Sequence, residues 1–560
     1  MIYITSIDFK KGGVRKGLES VKLTLMTLVS PNKIDSRSNL IINLKKHKMS
    51  LISDSSIELH NPNILRDVKV SSLSAGDRFG LLSIQFEKTE MTKTPVFILF
   101  TIDRTGSMSE FGNTGDIKNK MYYVKETFKQ IVHYISRKDA EIYIKVIIFN
   151  TEVETLINTV KVTSENCDEI VQKIMSVEPD GSTAIDSALH EASTILQGYR
   201  EDNDEHDMYH IFMTDGEPTS GNKNPDDLYS IVDPNFSTAF IGFGKNHNSR
   251  LLRKISEGPL SNYQVIDNIE HTGVVYGSIM HEILFTSLRN VHVKVENGQI
   301  YDWKTNTWTT EISEPSITSE TKKIYYLKTT DREKLAISLF GVPTGTVDEI
   351  HLEDVFILPD LEDMETGEIQ HSCNADLSKH IYRFSVQEIL FQSRSIDRNG
   401  MRQFKNSVAL LFRKMRRFMR LNDLLLDAMM CQLCDDLCIV YRTAGTRHGQ
   451  MFSVARASSQ GRQNSNTTTM SQTIDDDEDD TFVSRFHIPT SLTRLHTINV
   501  TPLMNPLDEE DDFESIFSET DGEFERNDYI ENHIPSENPI SCFATPTALH
   551  TIRSLTATQY

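Results

Sequence analysis

Three short clusters of oxygen-bearing side chains stand out along the chain. The first is Asp103-Arg104-Thr105-Gly106-Ser107-Met108-Ser109, the second Asp180-Gly181-Ser182-Thr183, and the third Thr214-Asp215-Gly216-Glu217-Pro218. None of them contains a thiol or an imidazole. Hard oxygen donors suit magnesium or manganese, which favour near-octahedral oxygen coordination and keep some positions for water. Asp103, Thr105, Ser107, Thr183 and Asp215 are the candidate ligands. Hydroxyls are neutral donors. An ion held by three of them, with two carboxylates acting through water, stays electrophilic enough to accept an acidic group from a partner.

Elements that place these clusters together are legible in the pattern. Residues 96–102 form a near-continuous apolar run, as in a strand buried on both faces. Similar runs cover 142–149, 210–214 and 239–243. Amphipathic stretches at 117–136, 184–196, 248–256 and 272–288 separate them as helices. Buried strands alternating with helices predict a doubly wound α/β domain over 94–287. In such a sheet ligands sit outside the carboxyl ends of the strands. The first and third clusters each follow a strand directly, and the second leads into a helix, so the five side chains can meet despite their separation in sequence.

These residues resemble the metal-ion-dependent adhesion site of von Willebrand factor A domains, a pattern of Asp-x-Ser-x-Ser, a distant Thr and a later Asp. Asp103, Thr105 and Ser107 match the first element, Thr183 the second and Asp215 the third. Thr105 stands where the family more often has Ser, and it retains the hydroxyl. The resemblance implies a Rossmann-like fold and a bound Mg2+ or Mn2+. It implies that Thr105, Ser107 and Thr183 contact the ion, that Asp103 and Asp215 hold it directly or through water, and that a protein ligand presents an Asp or Glu. It also implies movement of the last helix on ligation, here the one predicted over 272–288. The flanks are similar to intracellular A-domain proteins that in plants carry a RING finger. The RING is absent here, since the cysteines form no paired Cys-x-x-Cys framework. The Ile- and Asn-rich style also resembles uncharacterised giant-virus proteins.

The rest of the chain divides by composition. Residues 1–92 and 290–358 read as two β-rich halves of one sandwich, interrupted by the α/β domain; Asn297-Gly298 is a hairpin signal. Residues 380–457 read as helical, with a stripe of Val408, Leu411, Met415, Phe418 and Leu425 flanked by basic residues. Residues 458–560 read as a largely disordered acidic tail: 471–531 carries 18 acidic and three basic residues. The apolar residues that return over 544–555 read as a segment able to dock. The predicted fold class is therefore an α/β doubly wound domain inserted in a β-sandwich, followed by a helical segment and a disordered acidic tail.

A formal charge of −22 disfavours nucleic-acid binding. Six cysteines in 560 residues make no disulfide scaffold, the start of the chain shows no secretory signal, and no apolar run approaches a membrane span. A cytoplasmic or other intracellular location is expected, a virion included. Cys431, Cys434 and Cys438 share one helical face and read as core rather than as a metal cluster. The basic face over 402–420 reads as solvated. His281-Glu282 begins like a zincin helix, but Phe285 stands where the second His belongs. No phosphate-binding loop or nucleophile elbow is present. The expectation is a non-enzymatic, metal-dependent interaction module. Two alternatives remain: a metal-dependent hydrolase using Glu110 or Glu217 as base, and a structural or virion assembly protein with a metal-free site.

Overall fold

The computed structural model describes residues 2–10, 20–28, 78–86, 91–92, 94–111, 118–215, 217–244, 247–266, 271–329, 335–344, 349–356, 375–397, 399–467 and 530–556. Strands β1 (Ile2–Lys10), β2 (Ser20–Leu28) and β3 (Arg78–Phe86) come first. The α/β domain follows. Its elements are β4 (Val96–Asp103), α1 (Lys120–Ser136), β5 (Ile142–Phe149), β6 (Val153–Lys161), α2 (Cys167–Met175), α3 (Ile185–Asp202), β7 (Asp207–Thr214), α4 (Pro225–Ile231), β8 (Ser237–Phe243), α5 (Ser249–Ile255), β9 (Ser261–Ile266) and α6 (Thr272–Leu284).

The order across this sheet is β6-β5-β4-β7-β8-β9. Strand β4 pairs in parallel with β5 on one side and β7 on the other, and β6 closes one edge antiparallel. Every residue of β4 is buried. Alternation sends Val96, Ile98, Phe100 and Ile102 into one core with α1 and α6, and Phe97 and Leu99 into another with Ala192 and Leu196 of α3. The chain leaves β4 toward β5 on one side and reaches β7 on the other, so the loops after β4 and β7 diverge and open a crevice between them.

Beyond α6 the chain forms β10 (Thr286–Glu296), β11 (Gln299–Asp302), β12 (Thr307–Thr309), β13 (Glu311–Thr318), β14 (Lys322–Thr329), β15 (Leu335–Pro343) and β16 (Ile350–Phe356). Two further sheets result, ordered β1-β2-β3-β14-β11-β12 and β13-β10-β15-β16. Strand β3, before the α/β domain, pairs antiparallel with β14, after it, with Leu82 opposite Tyr325. Leu82, Ile84 and Phe86 meet Leu288, Val291, Val293, Leu335 and Leu339 in one core, so the two sheets make a sandwich that receives the α/β domain as an insertion.

Asn297-Gly298 does not make the expected hairpin. Strands β10 and β11 lie in different sheets, and Asn297, at φ 60°, turns the chain from one sheet to the other. Gly298 is required there, since a Cβ would come within 2.1 Å of Leu335 Cδ1 and 2.9 Å of the Lys328 carbonyl.

Helices α7 (Ala375–Gln392), α8 (Met401–Leu421), α9 (Ala428–Thr443) and α10 (Arg447–Arg462) follow. They cover the outer face of the sandwich, where Leu81, Tyr301 and Tyr326 join Phe384, Phe412, Met415 and Leu433. Leu425 falls outside α8 and is exposed, so the apolar stripe ends earlier than expected. Residues 458–462, read as the start of a disordered tail, are instead the buried end of α10. Their polarity is internal: the amide of Gln460 donates to Asp436 at 3.2 Å, and the Arg383 guanidinium donates to the side chain and carbonyl of Gln460.

The acidic blocks at 475–480 and 508–512 lie outside the described residues. Helix α11 (Pro546–Thr556) docks on α6, with Leu555 joining the α/β core. The two helices touch closely at Gly277, whose added Cβ would lie 2.7 Å from Ile552 Cα.

Candidate metal centre

Asp103 ends β4 and Thr214 ends the neighbouring β7, so both side chains emerge at the carboxyl edge of the sheet. The Thr214 hydroxyl donates to Asp103 Oδ2 at 2.6 Å, and the Thr105 backbone N–H donates to Asp103 Oδ1 at 2.8 Å. Beyond Thr105 the chain coils into a single 3-10 turn, Gly106–Ser109. There Thr105 Oγ1 and Ser107 Oγ lie 3.0 Å apart, and the Ser107 hydroxyl donates to Asp215 Oδ1 at 2.8 Å. Four of the five expected residues thus form one continuous polar group.

The second cluster is held against the first by backbone. The Gly106 N–H donates to the Gly181 carbonyl at 3.1 Å, and the Asp180 N–H to the Arg104 carbonyl at 2.7 Å. Gly181 sits at φ 82°, and a Cβ there would lie 2.8 Å from Asn150 Nδ2, so the turn needs glycine. Asn150 Nδ2 in turn donates to the Asp180 carbonyl at 3.0 Å. Thr183 is buried; its N–H donates to Thr219 Oγ1 at 2.8 Å, and its carbonyl accepts from the N–H groups of Thr219 and Ser220. This ties the second cluster to the third. The Thr183 hydroxyl has no hydrogen-bond partner among the described residues.

Burial, and after it the charge of Asp215, push the Asp103 carboxyl up to about 6, against the hydrogen bonds from Thr214 and Thr105 that favour the ionised form. Two carboxylates facing one another at a buried edge favour a cation. The donors on offer are carboxylate and hydroxyl oxygens, so the set fits an oxygen-seeking divalent ion of the magnesium or manganese class.

One residue of the centre was not anticipated from sequence. Lys120, at the first position of α1, is buried, and its ammonium donates to Asp215 Oδ2 at 2.7 Å. Longer contacts of 3.4 Å reach the Ser107 carbonyl and Glu110 Oε2. The signal that could have found it is a lysine opening a helix, where the positive end of the backbone dipole favours acids instead.

The two candidate bases of a hydrolase are each paired with a cation. Glu217 pairs with Arg447 at 2.7 Å, and Glu110 faces Lys120 at 3.4 Å. Cys434 and Cys438 are core residues of the helical segment; burial pushes their thiols up to about 12 and about 11. Among the described residues these cysteines do not join a ligand cluster, whereas His133, Cys167 and Asp168 place ligand atoms within 4.8 Å of one another where α1 meets α2. In that group the Cys167 thiol is directed at the Ser164 carbonyl. No described helix is long and apolar enough to cross a membrane.

Comparison with known proteins finds matches to part of the chain. Residues 98–273 match the family described as von Willebrand factor type A domain. Inter-alpha-trypsin inhibitor heavy chain H3 of Bos taurus is 26% identical over 170 residues, which are 29% of this chain and 18% of that protein. The chain therefore spans less than a fifth of the curated relative it matches. Similar solved structures include a von Willebrand factor type A protein from Catenulispora acidiphila, at TM-score 0.48 and 11% identity over 70% of this chain and 93% of that one. The ArnB paralog VWA2 from Sulfolobus acidocaldarius reaches TM-score 0.44 and 12% identity over 70% and 97%. Proximal thread matrix protein 1 from the mussel byssus, solved with a zinc-occupied MIDAS motif, reaches TM-score 0.26 and 18% identity over 33% and 46%.

Proposed function

We propose that residues 98–273, a von Willebrand factor type A domain, hold one divalent cation and use it to bind a protein partner through an aspartate or glutamate side chain. The observation that carries this reading is the polar chain Asp103–Thr105–Ser107–Asp215, assembled from the ends of two adjacent strands at the edge where the loops diverge. In this reading Thr105, Ser107 and Thr183 supply neutral hydroxyl ligands, and Asp103 and Asp215 hold the ion directly or through water. Mg2+ or Mn2+ supplies Lewis acidity toward a carboxylate.

The protein's own residues prepare the site. The Thr214 hydroxyl and the Thr105 N–H fix both oxygens of Asp103, while the Gly106–Gly181 and Thr183–Thr219 contacts lock the three loops in register. Glu217, which follows Asp215 closely in sequence, pairs with the exposed Arg447 at the start of α10. The chain is then a scaffold with one ion-dependent docking point. No observation favours the hydrolase alternative.

A pull-down with the full chain tests this reading. Proteins retained in Mg2+, and released both by chelator and by Asp103→Ala, support it. A retained set indifferent to chelator and to the substitution contradicts it.

A further inference from the structure

We propose that Lys120 is a tethered counter-cation of the candidate metal centre: it keeps the two carboxylates assembled without a divalent ion and lowers the affinity with which one is taken up. The inference rests on the metal-binding reading above and concerns how that site is regulated.

Three observations carry it. First, Lys120 is buried, and so is Asp215, on which its ammonium rests at 2.7 Å. An ammonium leaves water at a high desolvation cost, and a buried lysine persists only with a close counter-charge. Second, Lys120 opens α1, whose first turn contains no acidic residue. A cation there is opposed by the helix dipole, so the helix itself does not account for its position. Third, the ammonium takes Asp215 Oδ2, while Oδ1 accepts the hydroxyl of Ser107. One carboxylate therefore faces the fixed positive charge and the hydroxyl ligands at once.

Two consequences follow. Without a divalent ion, the negative charge that Asp103 and Asp215 share is partly balanced by Lys120, so the loops stay in register. A divalent ion held by Asp215 would bring its charge to the carboxylate on which the Lys120 ammonium already rests, and like charges repel. Lys120 thus sets a threshold below which the centre stays free of a divalent ion yet remains assembled.

The test is calorimetric titration of the full chain with Mn2+, alongside melting temperatures in chelator. Lys120→Met is expected to bind Mn2+ at least tenfold more tightly than the wild type and to melt lower in chelator. Lys120→Arg, which keeps the charge, is expected to bind within a few-fold of the wild type, which separates charge from packing. Tight uptake by Lys120→Met with none by the wild type supports the inference most strongly. Uptake by the wild type that is unchanged or weaker in Lys120→Met overturns it and leaves the metal reading standing. No uptake by either protein overturns both.

Discussion

The Thr214 hydroxyl donates to Asp103 Oδ2 at 2.6 Å and so ties the ends of two adjacent parallel strands. Both residues are fully buried. Thr214→Val keeps the shape and removes the donor, leaving a buried carboxylate oxygen short of a partner. The expected cost is about 1–3 kcal/mol of unfolding free energy, read by urea denaturation at pH 7.5. The same substitution in an Asp103→Asn background should cost clearly less, because the buried charge is gone. Equal costs in both backgrounds would show that this hydroxyl does not serve the carboxylate.

Burial pushes the His247 imidazole down to about 4 from the ordinary 6.5. In the fold its Nδ1–H donates to the Gly244 carbonyl at 2.5 Å, and Nε2 accepts from the Tyr263 hydroxyl. The unfolded chain binds the extra proton between pH 6.5 and 4. The contribution of neutral His247 is therefore full above pH 6.5 and falls as the pH drops toward 4, by about 3 kcal/mol at most. Buried His210, pushed down to about 3, acts in the same sense. His247→Gln should shrink the difference in stability between pH 7.5 and pH 4.5. An unaltered difference would assign the acid sensitivity to other groups.

Gly277 of α6 admits Ile552 of α11 at a distance that leaves no room for a side chain. Gly277→Leu should release α11, with loss of hydrogen-exchange protection over 546–556 and little change in the amides of β4 and β7. Ile552→Ala should weaken the same contact by about 2–5 kcal/mol, as for other large-to-small core changes. Protection that survives Gly277→Leu would contradict this packing.

Asp436 and Arg456 form a fully buried ion pair, with Gln460 completing the carboxylate's hydrogen bonds. Arg456→Ala should cost about 3–5 kcal/mol, because Asp436 is left inside without a counter-charge. Replacing both by apolar residues of similar volume should cost much less. A small loss from Arg456→Ala alone would show that water or another cation reaches Asp436.

Much of this was legible beforehand, for identifiable reasons. The β4 run was readable because a parallel strand covered on both faces is apolar at nearly every position. That Asp103, Thr105, Ser107 and Asp215 come together was readable because their two clusters each directly follow a strand of the same sheet. Strand β6 was not, since as an edge strand it exposes Glu154, Thr155, Asn158 and Thr159 and lacks the apolar run of its neighbours. Strand β9 is fully buried yet carries Ser261, Asn262 and Gln264, which pattern reading takes for a loop. Residues 458–462 looked disordered because a buried polar network has the same composition as a solvated segment. Asn297-Gly298 carried the right local turn, but only tertiary context decides which sheet the next strand joins. The role of Lys120 is not legible in the sequence because its partner, Asp215, is 95 residues away and no local spacing connects them.

Mn2+ titration of the full chain, followed by electron paramagnetic resonance, decides whether one divalent ion sits among Asp103, Thr105, Ser107, Thr183 and Asp215. The prediction is one bound ion per chain, abolished by Asp215→Ala and weakened at least tenfold by Ser107→Ala and Thr183→Ala, with melting temperature in chelator showing that each variant is folded. Absence of bound Mn2+ at millimolar ion, or binding that survives Asp215→Ala, would contradict it.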